Sequence, residues 1–287
     1  MSRAEWKTLL SRQQQQFDDY SGELLMVNVS GGAASAEAWK RCLDKYGAAR
    51  VHPVFADTES EDPDTYRFLD DCQRVFGQRL TVVRAGGDIW DCFHKHGMMR
   101  IAAAGNACKA SVELKQKPLD AEYERSEADG QAIGLNFDEP ERMARLSARL
   151  SARRILYPLA TSPRLSECDI ISRIRGYGIE PPAIYDDGFT HNNCLGKGGC
   201  VLAGLSQWAA YYKLFPERFA YAEQREKEFI DRTGFTVLRD QSRNSVKPYP
   251  LSRLRIDVDA GREFGNDWVS PCLCFTPSLF SMDELSK

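Results

Sequence analysis

Leu24 to Ala36 reads L-L-M-V-N-V-S-G-G-A-A-S-A, and this stretch decides the fold. An apolar run ends in Ser30-Gly31-Gly32, small residues follow, and a helical pattern begins at Glu37. A buried strand that runs into a glycine turn at a helix start is a standard holder of phosphate. The turn's N–H groups point at the anion, and the helix end carries partial positive charge. Gly31 and Gly32 permit unusual dihedrals and close approach, while Ser30 and Ser35 add hydroxyl donors. The loop lacks the lysine of G-x-x-x-x-G-K-[ST] and the spacing of G-x-G-x-x-G, so neither a Walker loop nor a dinucleotide fingerprint is present. A tight turn without a ligand is the alternative.

Working outward, Arg3 to about Tyr20 predicts a helix with Trp6, Leu9, Leu10 and Phe17 on one face. Strand one covers about Leu24 to Val29, and its helix runs to about Tyr46, with Gly47 as the stop. Strand two covers Val51 to Ala56, although Pro53 argues against a central position. Asp57 and Thr58 then lie just past its carboxyl end, where open parallel sheets bind ligands. Asp57 is a candidate for a ribose or adenine donor or a metal, with capping of the next helix as the alternative. That helix spans about Pro63 to Phe76.

Strand three is Leu80 to Val83, and Asp88 after Gly86-Gly87 caps a helix holding Trp90 and Phe93. His94 and His96 are two apart and do not share a helix face. Residues 98–130 read as irregular. Gln131 to Phe137 reads as strand four, and Asp138 to Arg154 as a helix. Alternating strands and helices predict an α/β fold, an open, mostly parallel, doubly wound sheet with helices on both faces. A helix near Ser166 to Arg175 follows, and G-I-E-P-P (Gly178 to Pro182) breaks the pattern. The expected domains are a nucleotide-binding α/β domain over 1–176 and a Cys-rich helical and irregular C-terminal appendage over 177–287.

Composition sets bounds. An apolar share of 43% in 287 residues supports one large domain or one domain plus an appendage. A net charge of −3 leaves nucleic-acid contact to local patches. Arg142, Arg145, Arg149 and Arg153 fall on one face of the expected helix, as a phosphate track or a solvated face. The polar N-terminus has no secretory apolar region, and no run approaches a membrane span, so a cytoplasmic location and no membrane partner are expected.

Nine cysteines without an export signal point to metal ligation or thiol chemistry more than to disulfides. Cys194 and Cys200 flank L-G-K-G-G in a loop that begins H-N-N, and Cys272 and Cys274 form C-L-C after a proline. Such turns suit converging thiolates, so these four are the candidate metal ligands, for an iron–sulfur cluster or for zinc. Cys42, Cys72 and Cys92 lie in helical stretches and are expected in the core.

Three segments carry a resemblance. S-G-G-A-A-S (Ser30 to Ser35) resembles the S-G-G-x-D-S loop of the PP-loop ATP pyrophosphatases, the adenine nucleotide alpha-hydrolase superfamily. D-T-E-S-E-D-P-D-T-Y-R-F (Asp57 to Phe68) resembles D-T-G-x-x-x-P-E-T-Y-x-F of its phosphoadenosine phosphosulfate (PAPS) reductase-like branch. C-K-A-S-V-E-L-K-Q-K-P-L (Cys108 to Leu119) is similar to that branch's C-x-x-x-L-K-x-x-P-L. The matches fall in the family's order within the first half of the chain. The family's loop aspartate is Ala34 here, which counts against standard magnesium-assisted pyrophosphate cleavage and not against nucleotide binding.

The resemblance implies sheet order 3-2-1-4-5 and an adenine nucleotide, ATP or PAPS/APS, at Ser30, Gly31, Gly32, Ser35, Asp57 and Thr58, with Mg as a companion. It implies roles for Cys108, Asp57 and Lys115 in catalysis, Cys108 as an extra ligand or sulfur carrier. Among metals it favours [4Fe–4S] over zinc. Three functions follow: ATP-dependent activation of an acceptor with pyrophosphate release coupled to sulfur transfer, PAPS/APS sulfonucleotide reduction, and a non-catalytic nucleotide-binding subunit of a DNA-modification or defence complex. The chain's end, S-M-D-E-L-S-K, lacks the tail cysteine typical of sulfonucleotide reductases. The acceptor is open among a tRNA, a DNA and a small molecule, and the oligomeric state is open, with a homodimer as one alternative.

Overall fold

The computed structural model describes residues 3–102, 107–189, 192–240 and 247–265. Five parallel strands form the main sheet: β1 (Leu25–Val29), β2 (Val51–Asp57), β3 (Thr81–Arg84), β4 (Gly130–Ile133) and β5 (Ile155–Leu156). Their spatial order is 3-2-1-4-5, as expected. Two short antiparallel ladders, Arg100–Ile101 with Ala107–Cys108 and Leu238–Asp240 with Lys247–Tyr249, lie outside it.

The helices are α1 (Arg3–Asp18), α2 (Ala33–Tyr46), α3 (Pro63–Phe76), α4 (Ile89–His96), α5 (Lys117–Arg125), α6 (Pro140–Arg149), α7 (Glu167–Gly176), α8 (Leu205–Leu214), α9 (Pro216–Thr233) and α10 (Leu251–Asp259). No described helix is long and apolar enough to cross a membrane.

The period of two along β1 builds both faces. Leu25, Val27 and Val29 pack with Trp39 of α2, Phe68 of α3 and Ile174 of α7. Met26 points the other way, to Val54 and the flank of α5. Trp6 and Leu10 of α1 share a smaller cluster with Met143 of α6 and Tyr157. A fourth cluster joins Trp90 and Phe93 of α4 to Trp208, Phe219, Phe229 and Leu251 of α8 to α10.

Several expectations are corrected. Within residues 98–130, expected to be irregular, a π-helical turn over Ser111–Gln116 runs directly into α5. Pro118 does not break that helix, because the π-helical turn just ahead of it shifts the backbone hydrogen bonds, with Lys117 N–H donating to the Val112 carbonyl five residues back. α6 is shorter than expected and ends at Arg149, so Arg153 leaves the arginine face. Its guanidinium lies 4.2 Å from the centre of the Tyr123 ring and donates to Asp120 at 2.6 Å. β4 stops at Ile133, before Gly134. Pro53 sits inside β2 because β3 pairs only from Val54 onward, so the missing donor falls where β2 has a neighbour on one side.

Glu226 of α9 is a buried carboxylate that binds the last ladder and helix to the core. It accepts Val237 N–H at 2.8 Å and Leu251 N–H at 2.6 Å, with 1% of its surface exposed. Burial raises its carboxyl to about 7. A carboxyl raised on folding favours the fold when protonated, and that contribution is lost as pH rises through the folded value. Unfolding free energy is therefore expected to fall from about pH 5 to about pH 8, by up to roughly 3 kcal/mol. Glu226→Gln should flatten the slope in denaturant titrations at the two ends of that range. Equal slopes in both proteins would contradict this account.

Candidate nucleotide site

The Ser30–Ser35 loop leaves β1 and enters α2, with Gly32 as the N-cap residue. Gly31 has φ +83°, and a Cβ there would lie 2.4 Å from Thr65 Cγ2, so only glycine fits against α3. Ser35 holds the loop's shape. Its hydroxyl accepts Ser30 N–H at 3.0 Å and donates to the Gly32 carbonyl at 2.8 Å. The N–H groups at the start of α2 have no helical partner of their own and face a cavity of about 460 Å³. The cavity lies between the carboxyl ends of β1 (Asn28, Val29) and β4 (Ile133, Gly134), where the strand order reverses.

Residues far apart in sequence complete the wall. Lys115 comes from the π-helical turn, Asp138, Glu139 and Arg142 from the start of α6, and Tyr185, Asn192 and Asn193 from the C-terminal half. Lys115 Nζ lies 2.9 Å from Glu61 Oε1 and donates to Asn193 Oδ1 at 2.6 Å. The Glu139 carboxylate accepts from Arg142 at 2.5 Å and from Asn136 N–H at 2.9 Å. Burial, and then the charge of Glu139, raises the Asp138 carboxyl above the ordinary range. One side of the lining thus carries amide donors and an ammonium, and the other carboxylates with the Arg142 guanidinium paired to Glu139.

Ser30, Gly32 and Ser35 line this space. Asp57 is buried outside its wall and accepts from Tyr66 Oη at 2.8 Å, Glu59 N–H at 2.9 Å and Arg84 Nε at 2.9 Å. Thr58 donates to Glu61 Oε1 at 2.9 Å. Asp57 does not cap α3. Asp62 does, accepting Asp64 N–H at 2.8 Å.

The glycines between Cys194 and Cys200 have a packing reason. A Cβ on Gly196 would lie 1.9 Å from the Glu61 carbonyl oxygen. One on Gly198 would meet Trp90, and one on Gly199 would meet Trp208. Gly196 N–H and Lys197 N–H both donate to the Ser60 carbonyl, at 3.0 and 3.2 Å. The loop is thereby docked on the turn after β2. Cys194 N–H donates to Glu61 Oε2 at 3.1 Å, and Cys200 is buried with its carbonyl accepting Trp208 Nε1.

Cys92 and Cys200 belong to the apolar cluster around Trp208, and Cys108 and Cys194 pack against it. Burial raises the Cys108 thiol, opposed by N–H groups of Ser111 and Ala110 and by the charge of Lys115. Cys42 and Cys72 are core residues. Cys272 and Cys274 lie outside the described residues. Among the described residues no three His, Cys, Asp or Glu side chains come together to hold a metal, and no cysteine lines the cavity. The described residues alone therefore do not fit a cluster or a zinc ion. The loop also offers magnesium no carboxylate, since Ala34 lines the cavity where the family pattern has aspartate.

Tyr185, Asn192 and Asn193 were not singled out from sequence. Tyr185 has no signal in the sequence, and that of the two asparagines is H-N-N ahead of Cys194, which carries no chemistry until the fold brings it to the loop.

The chain is thus an open α/β protein of 3-2-1-4-5 order whose phosphate-type loop resembles that of the PP-loop adenine nucleotide alpha-hydrolases, PAPS reductase-like branch. No family model matches it, and no curated protein matches it in sequence. Among solved structures it is similar to phosphoadenylyl-sulfate (PAPS) reductase from Candida auris, a phosphate complex, at 14% identity and TM-score 0.46, over 67% of this chain and 95% of that one. It is also similar to the U34-tRNA thiolase NcsA from Methanococcus maripaludis with its [4Fe-4S] cluster, at 14% identity and TM-score 0.44, over 79% of this chain and 80% of that one. Likeness at this level does not carry the chemistry of either protein to this chain.

Gly196→Ala tests the docking of the Cys194–Cys200 loop. Its Cβ would overlap the Glu61 carbonyl, so a stability loss of about 1–3 kcal/mol is expected in denaturant titration. A loss under roughly 0.5 kcal/mol would mean the loop is not seated on that turn.

Proposed function

We propose that the chain is an enzyme that binds ATP in this cavity and activates an acceptor by adenylylation, coupled to sulfur transfer. The observation that carries the reading is the cavity at the strand-order reversal, floored by the start of α2 and reached by Lys115. The phosphates lie on the loop amides. An acceptor oxygen attacks the α-phosphorus, the bond to the β-phosphate oxygen breaks, and pyrophosphate leaves. The N–H groups at the start of α2 and the Lys115 ammonium take up the negative charge that develops. Glu61 and Asn193 hold that ammonium in place.

The acceptor enters from the carboxylate pole. Arg145 and Arg149, exposed on α6 next to that pole, suit a nucleic acid, a tRNA or a DNA. Cys108, just ahead of the turn that bears Lys115, is the proposed sulfur carrier. An external persulfide passes its outer sulfur to the Cys108 thiolate, and that sulfur attacks the adenylated carbon as AMP leaves. An external thiol then cleaves the resulting Cys108 disulfide to release the thiolated product. The Cys108 thiol, raised by burial, must lose a proton to serve, which the N–H groups of Ser111 and Ala110 favour first and the Lys115 charge after them.

Ala34 favours a second reading, a nucleotide-binding subunit without turnover. A sulfonucleotide reductase is the third reading, and no described cysteine, Cys108 included, lines the cavity wall. Pyrophosphate release from ATP, alone and with tRNA or DNA, separates the first two, and sulfite release from PAPS tests the third. Under the first reading the wild-type protein releases pyrophosphate only with acceptor, and Ala34→Asp raises that rate about tenfold by adding a metal-orienting carboxylate. If neither protein releases pyrophosphate while both bind ATP, the subunit reading replaces it.

A further inference from the structure

The phosphate loop is covered by a side chain from the C-terminal half. Tyr185 belongs to a segment pinned on both sides. Arg67 donates to the carbonyls of Glu180 and Pro181 at 2.9 and 3.1 Å, and Ala183 N–H donates to Asp64 Oδ2 at 2.7 Å. Asn192 Nδ2 donates to the Gly31 carbonyl at 2.7 Å and to Thr65 Oγ1 at 3.0 Å. The Tyr185 ring packs against both large apolar clusters. Its hydroxyl accepts Ala33 N–H at 3.3 Å, and a Cβ on Gly32 would stand 3.0 Å from it.

Ala33 is the first residue of α2, so its N–H is one of those a helix start offers to an anion. The tyrosine oxygen therefore occupies the place of an anion oxygen. At 3.3 Å the bond is long for an N–H to oxygen contact, so little is lost when the amide changes partner.

We infer that Tyr185 is a phosphate-binding and ligand-selecting residue of this site. The inference rests on the nucleotide reading above. A phosphate oxygen arriving at the loop takes the Ala33 N–H, and the Tyr185 hydroxyl turns from accepting that N–H to donating to the same oxygen. The anchored segment keeps the ring in reach, so the exchange needs rotation of one hydroxyl hydrogen and a small shift. A ligand without phosphate leaves the Tyr185–Ala33 bond in place and gains nothing from it. Lys115, held by Glu61 and Asn193, supplies charge, and a neutral donor at this position adds a directional contact to the phosphate oxygen.

The test compares wild type with Tyr185→Phe in the full chain, by calorimetry with ATP, tripolyphosphate and adenosine as probes. Phenylalanine keeps the buried ring and removes only the donor. Affinity for ATP and for tripolyphosphate is expected to drop about tenfold, as for loss of a hydrogen bond to a charged group, while adenosine affinity stays within about twofold. Equal or tighter binding of both phosphate probes by the variant overturns the inference and leaves the nucleotide reading standing. A parallel loss for adenosine also overturns it, because the ring would then be acting through the fold. Failure of the wild type to bind either phosphate probe overturns both readings.

Discussion

The side-chain amide of Asn192 is the contact on which the site depends. With 1% of its surface exposed, it reaches from the C-terminal half to the Gly31 carbonyl and to Thr65, joining the phosphate loop to α3 and to the segment that covers it. A buried donor of this kind is costly to lose, because two acceptors would be left without it. Around it the same interface repeats. Gly196 and Lys197 donate to Ser60, Cys194 donates to Glu61, and Arg218 of α9 donates to Asp62 at 2.6 Å. The turn after β2 is thus held by the C-terminal half, and Glu61 is placed to position Lys115.

Through these contacts the C-terminal half packs on the first half of the chain. Its apolar cluster includes α4 and Leu114, which lie in the first half of the chain. The cavity inherits its polarity from the two halves together. The amide pole comes from the start of α2, and the carboxylate pole from the start of α6 and from Glu167 of α7. Tyr185 and the two asparagines close it from the third direction.

The sheet was legible in the sequence because parallel strands buried on both faces show as apolar runs, and because Gly31, Gly47 and Asp88 mark their boundaries by local backbone chemistry. α5 was hidden by its polar surface and by Pro118, which reads as a breaker unless the π-helical turn ahead of it is known. The phosphate loop was legible for the same local reason as the sheet. The rest of the site was not. Asn192, Asn193 and Tyr185 reach the loop by long-range docking, which leaves no spacing to read. The glycines between Cys194 and Cys200 suggested converging thiolates, and in the fold they also seat the loop's backbone on Glu61, Trp90 and Trp208, a packing role the sequence does not show.

The central claim is that the loop between β1 and α2 is a phosphate site. It is tested most directly by titrating ATP into wild type and Gly32→Val by calorimetry. A side chain at residue 32 would project beside the Tyr185 hydroxyl, into the space assigned to phosphate. The account predicts ATP binding by the wild type and loss of at least about a hundredfold in affinity in the variant, with the fold retained by circular dichroism. Equal affinity in the two proteins would contradict it.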